Sequence, residues 1–231
     1  MGNVKLWPQT LLECQQEITD SLTTYGYYQT RYRSEELLYW SAIPKFIAND
    51  KNHGKVFKSA LDIGCAFGTL AVFMKKFTGC DVYCIDYSYL FRNDSLYDKH
   101  GIQWKQINIE FDGWPKDWPR GFDAIIMTEV IEHFNFHPLA TMKRIADSLN
   151  SGGMLYLSTP DAEQWGKVLK YKSIDEIPAP DVNVAITDDH VWQYTKNEII
   201  DLLNKVGLSV TRFVCVPGVM FRHINLTAVK I

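Results

Sequence analysis

One stretch restricts this chain more than any other: Ser59 to Leu70, Ser-Ala-Leu-Asp-Ile-Gly-Cys-Ala-Phe-Gly-Thr-Leu. An apolar run from Val56 to Ile63 contains an acid, Asp62, near its end and runs into a glycine turn. A helix pattern, Leu70–Phe77, follows directly. Strand, glycine turn, helix is how a parallel βαβ unit opens. Glycine lets a ligand approach bare backbone, and the first N–H groups of the helix are expected to stand unpaired beside it.

The alternation continues along the chain. Strands are expected at Asp81–Asp86, Gln103–Ile109, Phe122–Thr128 and Met154–Ser158, then around Ser209–Val216 and Asn225–Lys230. Helices are expected over 89–99, Phe136–Leu149 and from Thr195 to Val206. The last begins with a Thr195/Glu198 capping box and stops at Gly207. Strands separated by helices of this length give a mostly parallel sheet, and such sheets bind ligands beyond the carboxyl ends of their strands.

Residues 1–54 differ. Leu11, Leu12, Gln15, Ile18 and Leu22 recur at helical spacing, and so do Leu37, Leu38, Trp40, Ile43 and Phe46. Between them lies an aromatic cluster, Tyr25, Tyr27, Tyr28 and Tyr32, with Arg31 and Arg33 among it. This segment is expected to be an N-terminal helical cap on a domain spanning 55–231. Pro160, Pro178 and Pro180, with several acids, mark an insertion or lid over about 160–190.

With 46% hydrophobic and 22% charged residues, the 231-residue chain has material for a full core. A net charge of −3 with no long basic run argues against a duplex nucleic acid partner. No apolar run reaches the roughly 18 residues of a membrane span, and no export signal opens the chain, so a cytoplasmic location is expected. The five cysteines are odd in number and lack a C-x-x-C pair, which disfavours a disulfide framework or structural zinc.

The turn itself narrows the ligand. A dinucleotide fingerprint wants glycines where this chain has Ala66 and Thr69, and no Gly-Lys-Ser/Thr follows for a phosphate loop. Asp86, closing the second strand, offers a carboxylate to both hydroxyls of a ribose. The turn therefore suits an adenosine-type cofactor without phosphates.

Leu61-Asp-Ile-Gly-Cys-Ala-Phe-Gly68 resembles motif I of the class I S-adenosylmethionine-dependent methyltransferases. Cys84-Ile-Asp86, Asn108-Ile-Glu110, Phe122 to His133, Ser151 to Pro160 and His190 to Ile200 resemble that family's later landmarks, in order, over about residues 55–231. The resemblance implies a Rossmann-like, seven-stranded, mostly parallel sheet with helices on both faces. It implies S-adenosyl-L-methionine as cofactor, held by Asp62, Gly64, Cys65, Ala66, Gly68, Asp86, Tyr87, Asn108, Ile109 and Thr128. Arg31 in the cap would pair with the cofactor's carboxylate. Ala66 departs from the family's usual glycine, and Asn108 from a common aspartate.

Glu129-Val-Ile-Glu132-His133 starts where the fourth strand ends. In a helical turn, Glu129, Glu132 and His133 share one face. Glu129 and His133 are the candidate catalytic residues. Glu129, Glu132, His133 and His190 are candidate ligands for a divalent metal, Mg, Mn or Zn. The cluster resembles two groups: ubiquinone-type O-methyltransferases and metal-dependent RNA 3′-end 2′-O-methyltransferases. The leading expectation is O-methylation of a small-molecule acceptor. The rivals are the RNA methyltransferase and a non-catalytic, cofactor-binding regulator; a nicotinamide dehydrogenase is disfavoured by the turn.

Overall fold

The structure, a computed structural model, describes residues 6–22, 26–168 and 170–231. Tyr25, placed above in the aromatic cluster, lies outside them. The helices are α1 (Trp7–Ser21), α2 (Arg33–Tyr39), α3 (Ile43–Asn52), α4 (Thr69–Thr78), α5 (Asp94–His100), α6 (Pro138–Asp147), α7 (Ala162–Trp165) and α8 (Lys196–Lys205). The strands are β1 (Ser59–Ile63), β2 (Asp81–Asp86), β3 (Gln103–Gln106), β4 (Phe122–Thr128), β5 (Leu149–Pro160), β6 (Leu208–Pro217) and β7 (Arg222–Lys230).

They form one seven-stranded sheet in the order β3-β2-β1-β4-β5-β7-β6. The first five strands in that order run parallel, and β7 joins antiparallel to both β5 and β6. Side chains alternate between two buried faces, as period-2 strands covered on both sides must. Ala60, Val82, Cys84, Ala124, Ile126 and Tyr156 pack with α1, α3 and α4. Leu61, Ile63, Ile85, Ile125, Met127, Leu155 and Leu157 pack with α6 and α8. The helices of the first fifty residues thus share a core with the sheet. Arg212 of β6 pairs with Asp50 of α3, and Tyr156 of β5 donates to the same carboxylate at 2.7 Å.

Several boundaries differ from those expected. The first strand begins at Ser59, because Val56 stands 69% exposed. The third ends at Gln106, and 107–109 form a loop. The helix expected at Phe136–Leu149 is confined to Pro138–Asp147: His137 caps its start, with Pro138 in the first turn, and Leu149 already belongs to β5. The helix expected over 89–99 is Asp94–His100, started by Asn93, whose side chain accepts from the Leu96 N–H. The single helix pattern from Leu37 to Phe46 is two helices, broken at Trp40, with Pro44 in the first turn of the second. A π-helical turn, Tyr28–Tyr32, leads into the first of them.

Candidate functional site

The carboxyl ends of β1, β2 and β4 open into a cavity of about 450 Å³. At one end Gly64 leaves β1 at φ +69, and a Cβ there would fall 2.3 Å from Val130 Cγ2. Ala66 also sits in the left-handed region, at φ 45. Asp86 stands opposite: one carboxylate oxygen accepts the Ala66 N–H at 3.0 Å and the other the Ser88 N–H at 2.9 Å. Each oxygen keeps a lone pair for a further donor.

The amides of the glycine turn itself are paired within the protein. Gly64 and Cys65 donate to the Ile85 carbonyl, Ala66 to Asp86, and Gly68 to the Cys65 carbonyl. With these amides satisfied inside the protein, the turn is a poor phosphate cradle but still a close-approach surface. That agrees with a nucleoside cofactor lacking phosphates.

Of the expected cofactor residues, Gly64, Ala66, Asp86, Tyr87, Asn108, Ile109 and Thr128 line the cavity. Asn108 also orders its own loop, accepting the Glu110 N–H on its side-chain oxygen. Four expected residues do not line it. Asp62 is buried under the turn at 3% exposure, and burial, with Asp86 nearby, pushes its carboxyl up to about 8. Cys65 is buried with its thiol 3.7 Å from the Tyr97 hydroxyl. Gly68 caps α4 at φ +83, where a Cβ would strike the Tyr97 ring at 2.7 Å. Arg31, in the π-helical turn, points to Glu35 of α2, four residues on, at 2.5 Å. Its position i to i+4 from an acid explains this local pairing.

The other end of the cavity is lined by Tyr39, Trp40, Glu129 and His133, while Tyr27 and Tyr32 reach the cavity from their packing on Phe91 and Phe67. Glu129 adopts φ 55, a left-handed conformation unusual for a side chain of this size. Ser158 of β5 donates to one of its carboxylate oxygens at 2.7 Å. The His223 Nδ1 of β7 meets the other at 2.8 Å. Neither Ser158 nor His223 carried a role in the sequence reading. His223 lies far along the chain in what reads as a loop, and only the pairing of β7 with β5 brings it to Glu129.

Glu132 and His190 stay behind the cavity wall. Glu132 is 1% exposed and accepts from Thr159 Oγ1 at 2.9 Å. Burial, and then the neighbouring Glu129, raise its carboxyl well above the carboxylate range. Burial, helped by His133 and His223, holds the His190 imidazole down at about 4. Glu132, His133 and His190 bring ligand atoms within 4.8 Å of one another, and one Glu132 oxygen, Oε1, has no hydrogen-bond partner. Glu129 does not belong to this group, so the expected set of four metal ligands comes together as three. Two imidazoles and a carboxylate are a donor set suited to a divalent transition metal.

Residues 186–188 roof the Asp86 end of the cavity. Thr187 and Asn135 exchange two hydrogen bonds, 2.7 and 3.0 Å, and His133 Nδ1 lies 3.0 Å from the Asp188 carbonyl. Trp165 and Trp192 take no part in the lining. Trp165 packs on His190, Phe221 and His223, and Trp192 is core.

Sheet order, glycine turn and strand-end acid define the class: a class I, S-adenosylmethionine-dependent methyltransferase. Residues 30–212 match the family described as a methyltransferase domain, and the chain belongs to that family. No curated protein sequence matches it. Among solved structures it is similar to the 1,6-didemethyltoxoflavin-N1-methyltransferase of Burkholderia thailandensis with bound S-adenosylhomocysteine. That alignment has TM-score 0.63 and 16% identity, covering 100% of this chain and 92% of that one. It is similar also to the magnesium protoporphyrin IX methyltransferase of Synechocystis PCC 6803, at TM-score 0.60 and 15% identity, with 95% and 94% covered. An N-methyltransferase of Bradyrhizobium japonicum WM9 matches at TM-score 0.56 and 16% identity, with 82% and 94% covered. At these identities the likeness is one of fold. Among the described residues, no helix is long and apolar enough to cross a membrane.

Proposed function

We propose that this enzyme methylates a hydroxyl oxygen of a small-molecule acceptor, with Glu129 as the group that receives the acceptor's proton. The carrying observation is the position of Glu129: a left-handed residue that lines the cavity at the end away from Asp86. S-adenosylmethionine supplies a methyl group already activated as a sulfonium, so the protein's task is alignment and removal of one proton. Asp86 binds the ribose hydroxyls; Gly64 and Ala66 give the close backbone surface; Tyr39 and Trp40 wall the acceptor. Bound S-adenosylmethionine would supply the methyl group and take back the electron pair of its carbon–sulfur bond, and a Glu129 oxygen would receive the O–H proton that the acceptor oxygen gives up on bonding to the methyl carbon.

A small molecule is favoured over an RNA end because, among the described residues lining the cavity, none is lysine or arginine. Asp86, Glu110, Glu129 and Asp188 give it a negative field, which repels phosphodiesters. The toxoflavin and porphyrin methyltransferases of the same fold are named for small-molecule acceptors. A second reading adds a metal: Glu132, His133 and His190 are the residues that would hold a divalent ion, and of the three His133 lines the cavity.

Calorimetry and a turnover panel test the proposal. S-adenosylhomocysteine should bind, and Asp86→Ala should weaken it by about 1–3 kcal/mol, the cost of losing hydrogen bonds to a charged group. Neutral hydroxylated aromatics and polyols should be methylated in preference to a short RNA. RNA turnover abolished by chelator would overturn the small-molecule reading. Unchanged affinity in the Asp86 variant would remove its ribose role.

A further inference from the structure

We propose that His223 is a positioning residue: from β7 it fixes the Glu129 carboxylate in the orientation that receives the acceptor's proton. This rests on the role of Glu129 proposed above.

Glu129 is poorly determined by its own stretch of chain. It follows β4 at φ 55, and residues hold that region only when their surroundings impose it. The surroundings are non-local. Its N–H donates to the Ser158 carbonyl at 3.0 Å, its Oε1 accepts from Ser158 Oγ, and its Oε2 meets His223 Nδ1 at 2.8 Å. A carboxylate only accepts, so Nδ1 carries the hydrogen of that bond.

The ring of His223 is held from several sides. It is 2% exposed, with the Tyr39 ring tilted against it at 4.6 Å and the Trp165 ring edge-on at 5.6 Å. The Gly218 turn presses close: a Cβ on that glycine would fall 2.7 Å from Nε2. Nε2 itself is buried without a hydrogen-bond partner. A ring serving only to fill space is better apolar, since an unpaired buried nitrogen costs stability. The contact that offsets this cost is the one to Glu129. On the same face of β7, two residues on, Asn225 donates to the Tyr39 carbonyl and accepts the Ala42 N–H. One face of β7 therefore fixes both the carboxylate and the Tyr39–Trp40 wall that faces it.

His223→Phe keeps the ring volume and removes the donor. His223→Asn restores a donor close to the position of Nδ1. In the full chain, the Phe variant should lose about 10- to 100-fold in kcat for the best hydroxyl substrate of the panel, the scale of a misplaced catalytic group. KM and S-adenosylhomocysteine affinity should hold, and the Asn variant should recover most of the rate. Unchanged kcat in the Phe variant, or equal losses in both variants, would overturn the proposal. Nitrogen-15 spectra of the histidine rings read the contact without any acceptor: His223 should carry its proton on Nδ1, and a bare Nδ1 would refute the bond. A wild-type chain that binds no S-adenosylhomocysteine would instead overturn the methyl-transfer reading and leave the nitrogen spectrum as the test of this contact.

Discussion

The two ends of the cavity are built in opposite ways. The Asp86 end is local. Gly64, Ala66 and Asp86 come from neighbouring parallel strands at the start of one βαβ unit, and their bonds close within it. The other end is assembled from α2, β4, β5 and β7, with partners up to 94 residues apart in the chain. A local site needs only its own turn to be right. A dispersed site needs the whole sheet in register.

The largest effect should come from the dispersed end. Glu129→Gln keeps the side-chain volume and removes the proton acceptor, so turnover should fall roughly 100-fold or more while S-adenosylhomocysteine affinity stays close to wild type. Initial rates at saturating cofactor check this. Wild-type turnover would break the contrast by removing the carboxylate from the reaction.

The next effect concerns the joint between the two ends. Glu36 of α2 accepts from Gln15 and Tyr28 on one oxygen and from Thr69, at the start of α4, on the other. Burial pushes its carboxyl from 4.5 to about 7. The folded state therefore holds this proton more tightly than the unfolded chain. Stability falls as pH rises from about 4.5 to 7, then levels off, with a ceiling of roughly 3 kcal/mol from this group. Asp62, pushed up to about 8, adds to the same slope. Melting temperatures from pH 5 to pH 8 should decline, and Glu36→Gln should flatten the decline. An unchanged slope in that variant would assign it to the other buried acids, Asp62 and Glu132.

The smallest effect tests the local end. Ala66→Gly removes a Cβ from a left-handed position. The strain relieved is about 1–2 kcal/mol, and glycine's extra freedom in the unfolded chain takes back part of it. A net gain of about 0.5–1 kcal/mol in urea unfolding is expected. A loss would mean that the methyl group packs usefully against the aromatic cluster around Phe67.

The sheet was legible from sequence because buried parallel strands are short apolar runs and each glycine or proline marks an end. Asp86 was legible because a strand-end acid needs only its strand. Arg31 was not, since a charged side chain follows its nearest partner and Glu35 lies four residues on. The break at Trp40 was hidden because the helical pattern continues through it, and the displaced backbone is held by Asn225 on β7. The metal set lost Glu129 for a related reason: its backbone leaves the helical path at φ 55 and turns the carboxylate toward Ser158 and His223.

The sequence by itself determined the class of fold and the glycine-turn end of the cavity, through a turn and strand ends whose partners are covalent neighbours or lie one strand away. Only the tertiary structure decided which side chains stand across from that turn. β7 enters antiparallel between β5 and β6, and its register sets His223 on Glu129 and Asn225 on the Tyr39–Ala42 turn. That register comes from packing both faces of the sheet at once, which no single stretch of residues encodes.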